Sequence, residues 1–237
     1  MSWNGKSGTR GGVIERGFDL DVKGHRVPGV YWTPAEAGND RLVLLGHGGT
    51  THKKVEYIEN VARLLAARGI AAMAIDGPGH GERAQAAFDA NDTSAFARAW
   101  TSGGGTETVI ADWRRALDFI ETEAGARPTG WWGLSMGTMM GLPVCAADAR
   151  IRVALLGLMG TWGPNGDDLL RLAPQVQCPV RFLVQWDDEI VPRDTCLKLF
   201  SEIGSKKKTL HANPGRHVEV PAFEVEASVE YLERNLR

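Results

Sequence analysis

The residue of this chain best suited to nucleophilic chemistry is a serine that has one glycine two positions before it and another two positions after it. Ser135 stands in Gly133-Leu134-Ser135-Met136-Gly137, between an apolar run and a helix-like segment. A sharp strand-to-helix turn strains the backbone of its central residue, so the residues two positions away must be small. The helix N-terminus that begins at Met136 would stabilise negative charge beside the hydroxyl. The pattern predicts a serine nucleophile.

A serine hydroxyl is a weak nucleophile until an imidazole takes its proton, so the site needs a histidine as its base. We predict that this base is His217. It lies in a turn-rich segment after the last predicted strand and before the closing helix. The other histidines that we weighed fall in a hairpin turn, at the end of a strand, or in loops that border the pocket: His25, His211, His52 and His80. The positions in a turn and at a strand end disfavour His25 and His211, and the family resemblance given next selects His217 over His52 and His80.

With these motifs in this order, the chain resembles the α/β-hydrolase family, nearest to its esterase and dienelactone-hydrolase-like members. The resemblance covers roughly residues 25 to 235. It implies a Ser-acid-His order along the chain, which Ser135 and His217 fit. In the dienelactone-hydrolase branch a cysteine often holds the nucleophile position. Ser135 departs from that pattern and favours ester hydrolysis by the serine route.

The acid implied by the resemblance stands three residues before a Val-Pro pair. Here that pair is Val191-Pro192, so the frame selects Asp188, with Asp187 as the neighbour most easily confused with it. Some members place the acid after the preceding strand, where this chain has a pair of aspartates, Asp167 and Asp168. Favourable charge at a helix N-terminus explains that pair as well.

Acyl transfer also needs N–H donors for the developing oxyanion. The resemblance assigns one to Met136, the residue after the nucleophile. The second falls in the loop His47-Gly48-Gly49-Thr50-Thr51, where we assign Gly49, with Thr50 as the fallback. Thr50 is also a candidate for the substrate pocket. Two tryptophans in loop or lid segments, Trp162 and Trp100, are candidates for its wall.

The elements that must position these residues alternate between short apolar strands and amphipathic helices. This alternation predicts an α/β fold with a mostly parallel central sheet covered by helices on both faces. We expect one α/β-hydrolase domain over residues 1–237, with a short lid insertion at about 83–105. The first dozen residues, rich in Gly, Ser and Thr, read as a loose arm, and Lys23-Gly24-His25 as a hairpin turn.

Composition narrows the function classes further. Twenty-seven basic and 29 acidic residues give a net charge of -2, which favours neither nucleic acid nor an anionic membrane. No apolar run approaches the length of a membrane span, no signal peptide is evident, and three cysteines form no metal-ligand pattern. We expect no metal, no cofactor and a cytoplasmic location, and a homodimer stays open.

The sequence therefore predicts a serine esterase that cleaves small or medium carboxylic esters through an acyl-enzyme on Ser135. The short lid favours soluble esters over long-chain triglycerides. The same residues would serve hydrolysis of a thioester, a lactone, an amide or a carbon–carbon bond. A non-catalytic scaffold that binds a small ligand is the alternative of a different class.

Overall fold

The computed structural model describes residues 2–36, 40–84 and 93–236. One nine-stranded sheet organises this part of the chain, in the order β1-β2-β3-β5-β4-β6-β7-β8-β9. The strands are β1 (Ser2–Arg10), β2 (Val13–Val22), β3 (His25–Pro34), β4 (Leu42–Gly46), β5 (Ala71–Ile75), β6 (Thr129–Gly133), β7 (Ile151–Gly157), β8 (Val180–Gln185) and β9 (Lys208–Asn213). The first three strands pair antiparallel, and β4 to β9 run parallel, as the alternating pattern predicted.

Helices cover both faces of the sheet. They are α1 (Glu56–Ala66), α2 (Thr93–Ser102), α3 (Gly105–Ala124), α4 (Met136–Ala147), α5 (Gly166–Leu172), α6 (Arg193–Glu202) and α7 (Ala222–Asn235). Apolar side chains of α1 and α7 pack on one face, and those of α2 to α6 pack on the other. The predicted mostly parallel α/β fold is therefore confirmed.

The expectation of a loose N-terminal arm was wrong. Residues 2–10 form the edge strand β1, which pairs antiparallel with β2. The indole of Trp3 holds the strand down, with ring centroids 5.1 Å from Phe119 and 6.2 Å from Phe18. The guanidinium of Arg16 lies 3.8 Å over the same ring. An edge strand pairs through its backbone, so a Gly- and Ser-rich composition hides it unless the one apolar anchor is recognised.

The predicted hairpin between β2 and β3 is confirmed. Its two-residue turn is Lys23-Gly24, with φ angles of 51° and 85°. Two consecutive positive φ angles are typical of the turn that matches the twist of a tight hairpin. His25, expected in the turn, is instead the first residue of β3, and its Nε2 lies 2.7 Å from Asp112 Oδ1.

The predicted lid at 83–105 includes residues 85–92, which lie outside the described residues. Before them, Gly81–Arg83 forms a single helical turn, and after them α2 runs directly toward α3. The described part of this segment is thus helical and packs against the domain through buried Trp100.

Candidate active site

The turn from β6 to α4 holds Ser135 in the backbone conformation that the sequence predicted. Its φ and ψ are 56° and -121°, and its N–H donates to the carbonyl of Gly157 at 2.9 Å. A side chain at position 137 would place its Cβ 2.4 Å from the carbonyl oxygen of Gly46, and one at 133 would lie 2.7 Å from the carbonyl of Gly137. Both glycines are required because α4 approaches the neighbouring backbone this closely.

Three predicted residues from separate loops meet at this turn. His217 Nε2 lies 2.9 Å from Ser135 Oγ, and His217 Nδ1 lies 2.7 Å from Asp188 Oδ2. The side chains of His217 and Asp188 are 9% and 2% exposed, so the pair is largely shielded from water. This arrangement can move a proton from the serine hydroxyl to the imidazole while the carboxylate orients the ring.

Asp188, and not Asp187, faces the imidazole. Its Oδ1 accepts hydrogen bonds from the backbone N–H groups of Ile190 and Val191, each at 2.8 Å. Burial opposes its ionisation, but these bonds and the one to His217 outweigh that cost and hold the pKa of Asp188 below its ordinary value. Asp187 is exposed, and its carboxylate accepts the Gly215 N–H at 3.3 Å, so it braces the loop that carries the histidine.

The loop after β4 is held by a ring of hydrogen bonds around Gly48. Its carbonyl lies 2.8 Å from both His47 Nδ1 and Thr51 Oγ1. Its N–H donates to the hydroxyl of Tyr57 at 2.5 Å. Because the C=O and N–H of one peptide point in opposite directions, the fixed Gly48 carbonyl also fixes the direction of the Gly49 N–H. The loop is therefore pre-organised, as an oxyanion donor must be.

His47 also ties this loop to the one after β5. Its Nε2 accepts the Gly77 N–H at 2.9 Å, which leaves Nδ1 as the protonated nitrogen. Complete burial is the main reason that the pKa of His47 is lowered to about 4. The second loop is anchored by buried Asp76, whose Oδ2 lies 2.7 Å from Lys53 Nζ and 2.9 Å from the Glu82 N–H. These contacts give the Asp-Gly-Pro-Gly segment a structural role.

The three predicted pocket residues have different surroundings. Thr50 is exposed, adopts a positive φ of 60°, and its hydroxyl donates to the Gly49 carbonyl at 2.7 Å. Trp162 is 39% exposed in the loop after β7. Trp100 is 2% exposed and belongs to the apolar core, so its predicted place on the pocket wall finds no support. An amphipathic helix hides its large apolar residues, and Trp100 is on that hidden side of α2.

Phe96 of α2 lies against the loop after β4 instead. A Cβ added to Gly49 would meet the Phe96 ring at 3.2 Å, and the same ring packs edge-on against His80 at 5.8 Å. Neither Phe96 nor Tyr57 was singled out as a site residue from the sequence. Tyr57 lies one residue into α1 and Phe96 mid-way along α2, so only tertiary packing brings them to the loop.

The described residues contain no cluster of three or more His, Cys, Asp or Glu side chains with the arrangement of a metal site. None of the described helices combines the length and apolar character that a bilayer crossing requires.

Solved structures resemble this chain over its full length. A novel cold-adapted esterase from an Arctic intertidal metagenomic library, in complex with PEG, is 66% identical with a TM-score of 0.96, and each chain is covered completely. The native structure of that esterase superposes with a TM-score of 0.89 at 59% identity, again over 100% of both chains. An acetyl xylan esterase from Paenibacillus sp. R4 is 19% identical, with 100% of this chain and 90% of that chain covered and a TM-score of 0.74, which shows the shared fold alone.

Comparison with curated proteins gives no match. The model of the "Alpha/beta hydrolase family" matches residues 42–223, a span that includes Ser135, Asp188 and His217. This match covers most of the chain, and the 66% identical esterase extends the similarity to its whole length. The protein belongs to the α/β-hydrolase family.

Proposed function

We propose that the protein is a serine esterase that hydrolyses carboxylic esters through an acyl-enzyme on Ser135. The observation that carries the proposal is the continuous hydrogen-bond chain from Asp188 through His217 to Ser135, with distances of 2.7 Å and 2.9 Å. The 66% identical structure is that of a cold-adapted esterase, which supports the same activity here.

In the first half-reaction, Ser135 Oγ attacks the ester carbonyl while His217 Nε2 takes the hydroxyl proton. The carbonyl oxygen becomes an oxyanion, and the ester C–O bond then breaks as His217 returns that proton to the departing alcohol. In the second half-reaction, a water attacks the acyl-enzyme and gives a proton to His217. The bond between the acyl carbon and Ser135 Oγ then breaks as His217 returns that proton to the serine, and the acid leaves. Asp188 stabilises the imidazolium at both stages.

The oxyanion donors in this proposal are the backbone N–H groups of Met136 and Gly49. Met136 is the first residue of α4, where a helix N–H has no intrahelical partner and the helix dipole favours negative charge. The direction of the Gly49 N–H is supported by the fixed Gly48 carbonyl and by Tyr57. Both donors belong to rigid elements, so no reorganisation is required as the oxyanion forms.

Small and medium esters are the proposed substrates. The Phe96 ring against Gly49 supports this size limit, because it occupies space directly beside the proposed oxyanion donor. The apolar surface of Trp162, 39% exposed in the loop after β7, is the proposed contact for the acyl or alcohol group. Thr50, with its hydroxyl turned to the Gly49 carbonyl, is proposed to shape the pocket through its backbone.

The decisive experiment measures p-nitrophenol release from acetate, butyrate and octanoate esters. The wild type should turn over many times, with acetate or butyrate preferred, and Ser135→Ala should lose turnover and fluorophosphonate labelling together. Ser201→Ala is the matched control, because that hydroxyl bonds the Leu197 carbonyl within α6 at 2.9 Å. Labelling of Ser135 without turnover on any ester, thioester or lactone would instead identify a ligand-binding scaffold.

A cytoplasmic location is part of the proposal, and three free cysteines support a reducing compartment. The homodimer stays a prediction, which size-exclusion chromatography with light scattering would decide.

A further inference from the structure

The loop that carries the base is anchored to the strand that leads to the acid. Gln185 is the last residue of β8 and is 1% exposed, and it lies three residues before Asp188. Its Nε2 lies close to three backbone carbonyl oxygens, those of Glu219 at 3.0 Å, Arg216 at 3.2 Å and Pro214 at 3.4 Å. One buried amide therefore contacts the loop on both sides of His217.

The orientation of this amide follows from its partners. All three are acceptors, so the NH₂ group of Gln185 faces them and Oε1 points away. Two N–H groups are available, and the shorter distances make the carbonyls of Glu219 and Arg216 the main acceptors. Oε1 is buried without a hydrogen-bond partner in the described part of the chain. Because an unpaired buried acceptor lowers stability, an apolar side chain of similar length should be tolerated by the fold.

The peptide between Arg216 and His217 is held at both of its polar ends. Its carbonyl oxygen lies 3.2 Å from Gln185 Nε2 and accepts the Glu219 N–H at 3.0 Å. Its N–H donates to Glu189 Oε2 at 3.0 Å. That hydrogen bond is the main reason that the pKa of Glu189 lies below its ordinary value, so the acceptor is an anion at neutral pH. Because a peptide is planar, contacts at both ends fix the plane from which the His217 side chain projects.

Gly215 permits this close approach. Its φ is 112°, a value that residues with a side chain rarely adopt. A Cβ at this position would lie 3.1 Å from Glu219 Oε2 and 3.2 Å from Gln185 Nε2. The loop can therefore close onto the amide because no side chain stands between them.

We propose that Gln185 and Glu189 are positioning residues for the base, and that together they clamp the peptide before His217. The clamp holds the imidazole where it reaches Ser135 and Asp188 at once. Gln185 and Glu189 belong to the same short segment as Asp188, so the acid and the base share one support. The role that we assign rests on the proposed function, because it concerns the same reaction.

Gln185→Met tests the clamp, since methionine keeps the length of the side chain and has no N–H to donate. We expect kcat to fall about tenfold or more while KM changes less than about twofold, because His217 serves both half-reactions. The rate of Ser135 labelling by a fluorophosphonate should fall by a similar factor. Gln177→Met is the matched control and should keep wild-type values, because that exposed amide donates to the Pro174 carbonyl at 2.7 Å.

Two further comparisons separate positioning from stability. Trp3→Ala removes an anchor of β1, at the opposite edge of the sheet from β9, and should lower the urea midpoint without lowering kcat. Glu189→Ala changes an exposed side chain and should lower kcat several-fold in a folded protein. Glu189→Gln retains a carbonyl acceptor for the His217 N–H and should recover most of that loss. The Glu189 pair decides the question if Gln185→Met does not fold.

A readout without substrate separates the clamp from the proposed function. The proton between His217 Nδ1 and Asp188 should give a low-field proton NMR signal, identified by its loss in Asp188→Asn. Gln185→Met should shift or broaden this signal, and Trp3→Ala should leave it unchanged. A wild type without ester turnover would contradict the proposed function, whereas the NMR signal and the labelling rate would still test the clamp.

Two results would overturn the proposal. One is an unchanged kcat, labelling rate and low-field signal in both Gln185→Met and Glu189→Ala. The other is an equal loss of kcat in Gln177→Met or Trp3→Ala, which would show that the effect does not depend on the peptide before His217.

Discussion

Acidification should destabilise the fold through His47, the buried imidazole that joins the loops after β4 and β5. Its neutral form accepts the Gly77 N–H at Nε2 and donates from Nδ1 to the Gly48 carbonyl. A second proton would sit on Nε2 and face the Gly77 N–H, so a donor would meet a donor. The ionisable neighbours His80, Asp76 and His52 contribute smaller and partly opposing effects.

The size of the effect follows from the pKa of His47, which falls from 6.5 to about 4 on folding. Between these values the unfolded chain binds more protons at this site, so its contribution to stability is full above pH 6.5 and is lost as the pH falls toward 4. The loss should be about 1 kcal/mol at pH 5.5 and should approach a limit of about 3 kcal/mol as the pH falls to 4.5 and below.

Urea unfolding of the wild type and His47→Gln between pH 7.5 and 4.5 measures this contribution. The variant should be less stable at pH 7.5, because a flexible amide replaces a rigid ring that holds its donor Nδ1 and its acceptor Nε2 in fixed positions. The stability difference between the two proteins should then shrink by about 2 to 3 kcal/mol at pH 4.5, since only the wild type titrates at this site. His52→Gln removes only one of the smaller effects on His47, so this variant should keep most of the pH dependence. A constant difference between wild type and His47→Gln across this range would refute the reasoning.

Three further predictions concern the site and the edge of the sheet. Asp188→Asn should lower kcat by about a thousandfold or more and Asp187→Asn by less than about tenfold, because only Asp188 contacts His217; the reverse order would reassign the acid. Tyr57→Phe should lower kcat about tenfold with little change in KM, since the hydrogen bond that it removes positions a donor to an oxyanion formed only in the transition state. A rise in KM as large as the fall in kcat would argue for a substrate contact. Trp3→Ala should cost about 2 kcal/mol in urea unfolding, whereas Ser7→Ala on the same strand should cost little; an unchanged midpoint for Trp3→Ala would mean that β1 adds no stability.

Sequence patterns predicted the buried elements best. The strand β8 (Val180–Gln185) and the helix α4 (Met136–Ala147) are mainly apolar segments, so the predicted alternation of strand and helix is clear there. The edge strand β1 was not predicted, since one tryptophan in a polar stretch leaves no period to detect. The segment that contains α2 was expected to be a lid insertion, and this is why Trp100 was expected in the pocket and not in the core.

The candidate site divides in the same way. Ser135, Asp188 and His217 stand beside glycines, a Val-Pro pair and a turn that local sequence reveals. Local sequence does not reveal His47 and Tyr57, which support the loop after β4. Their contacts exist only after α1 and the loop after β5 have packed. A local sequence pattern identifies the reacting groups, and it misses the residues that position them.

The strained backbone of Ser135 lowers the stability of the native state. A φ of 56° with a ψ of -121° is rarely adopted by residues with a side chain, and such a conformation costs on the order of 1–3 kcal/mol. Glycine would relieve that cost, so Ser135→Gly should yield a sturdier, inactive protein. Selection of variants for thermal stability alone would therefore favour replacement of serine at position 135. A screen for more stable variants must measure turnover as well as melting temperature.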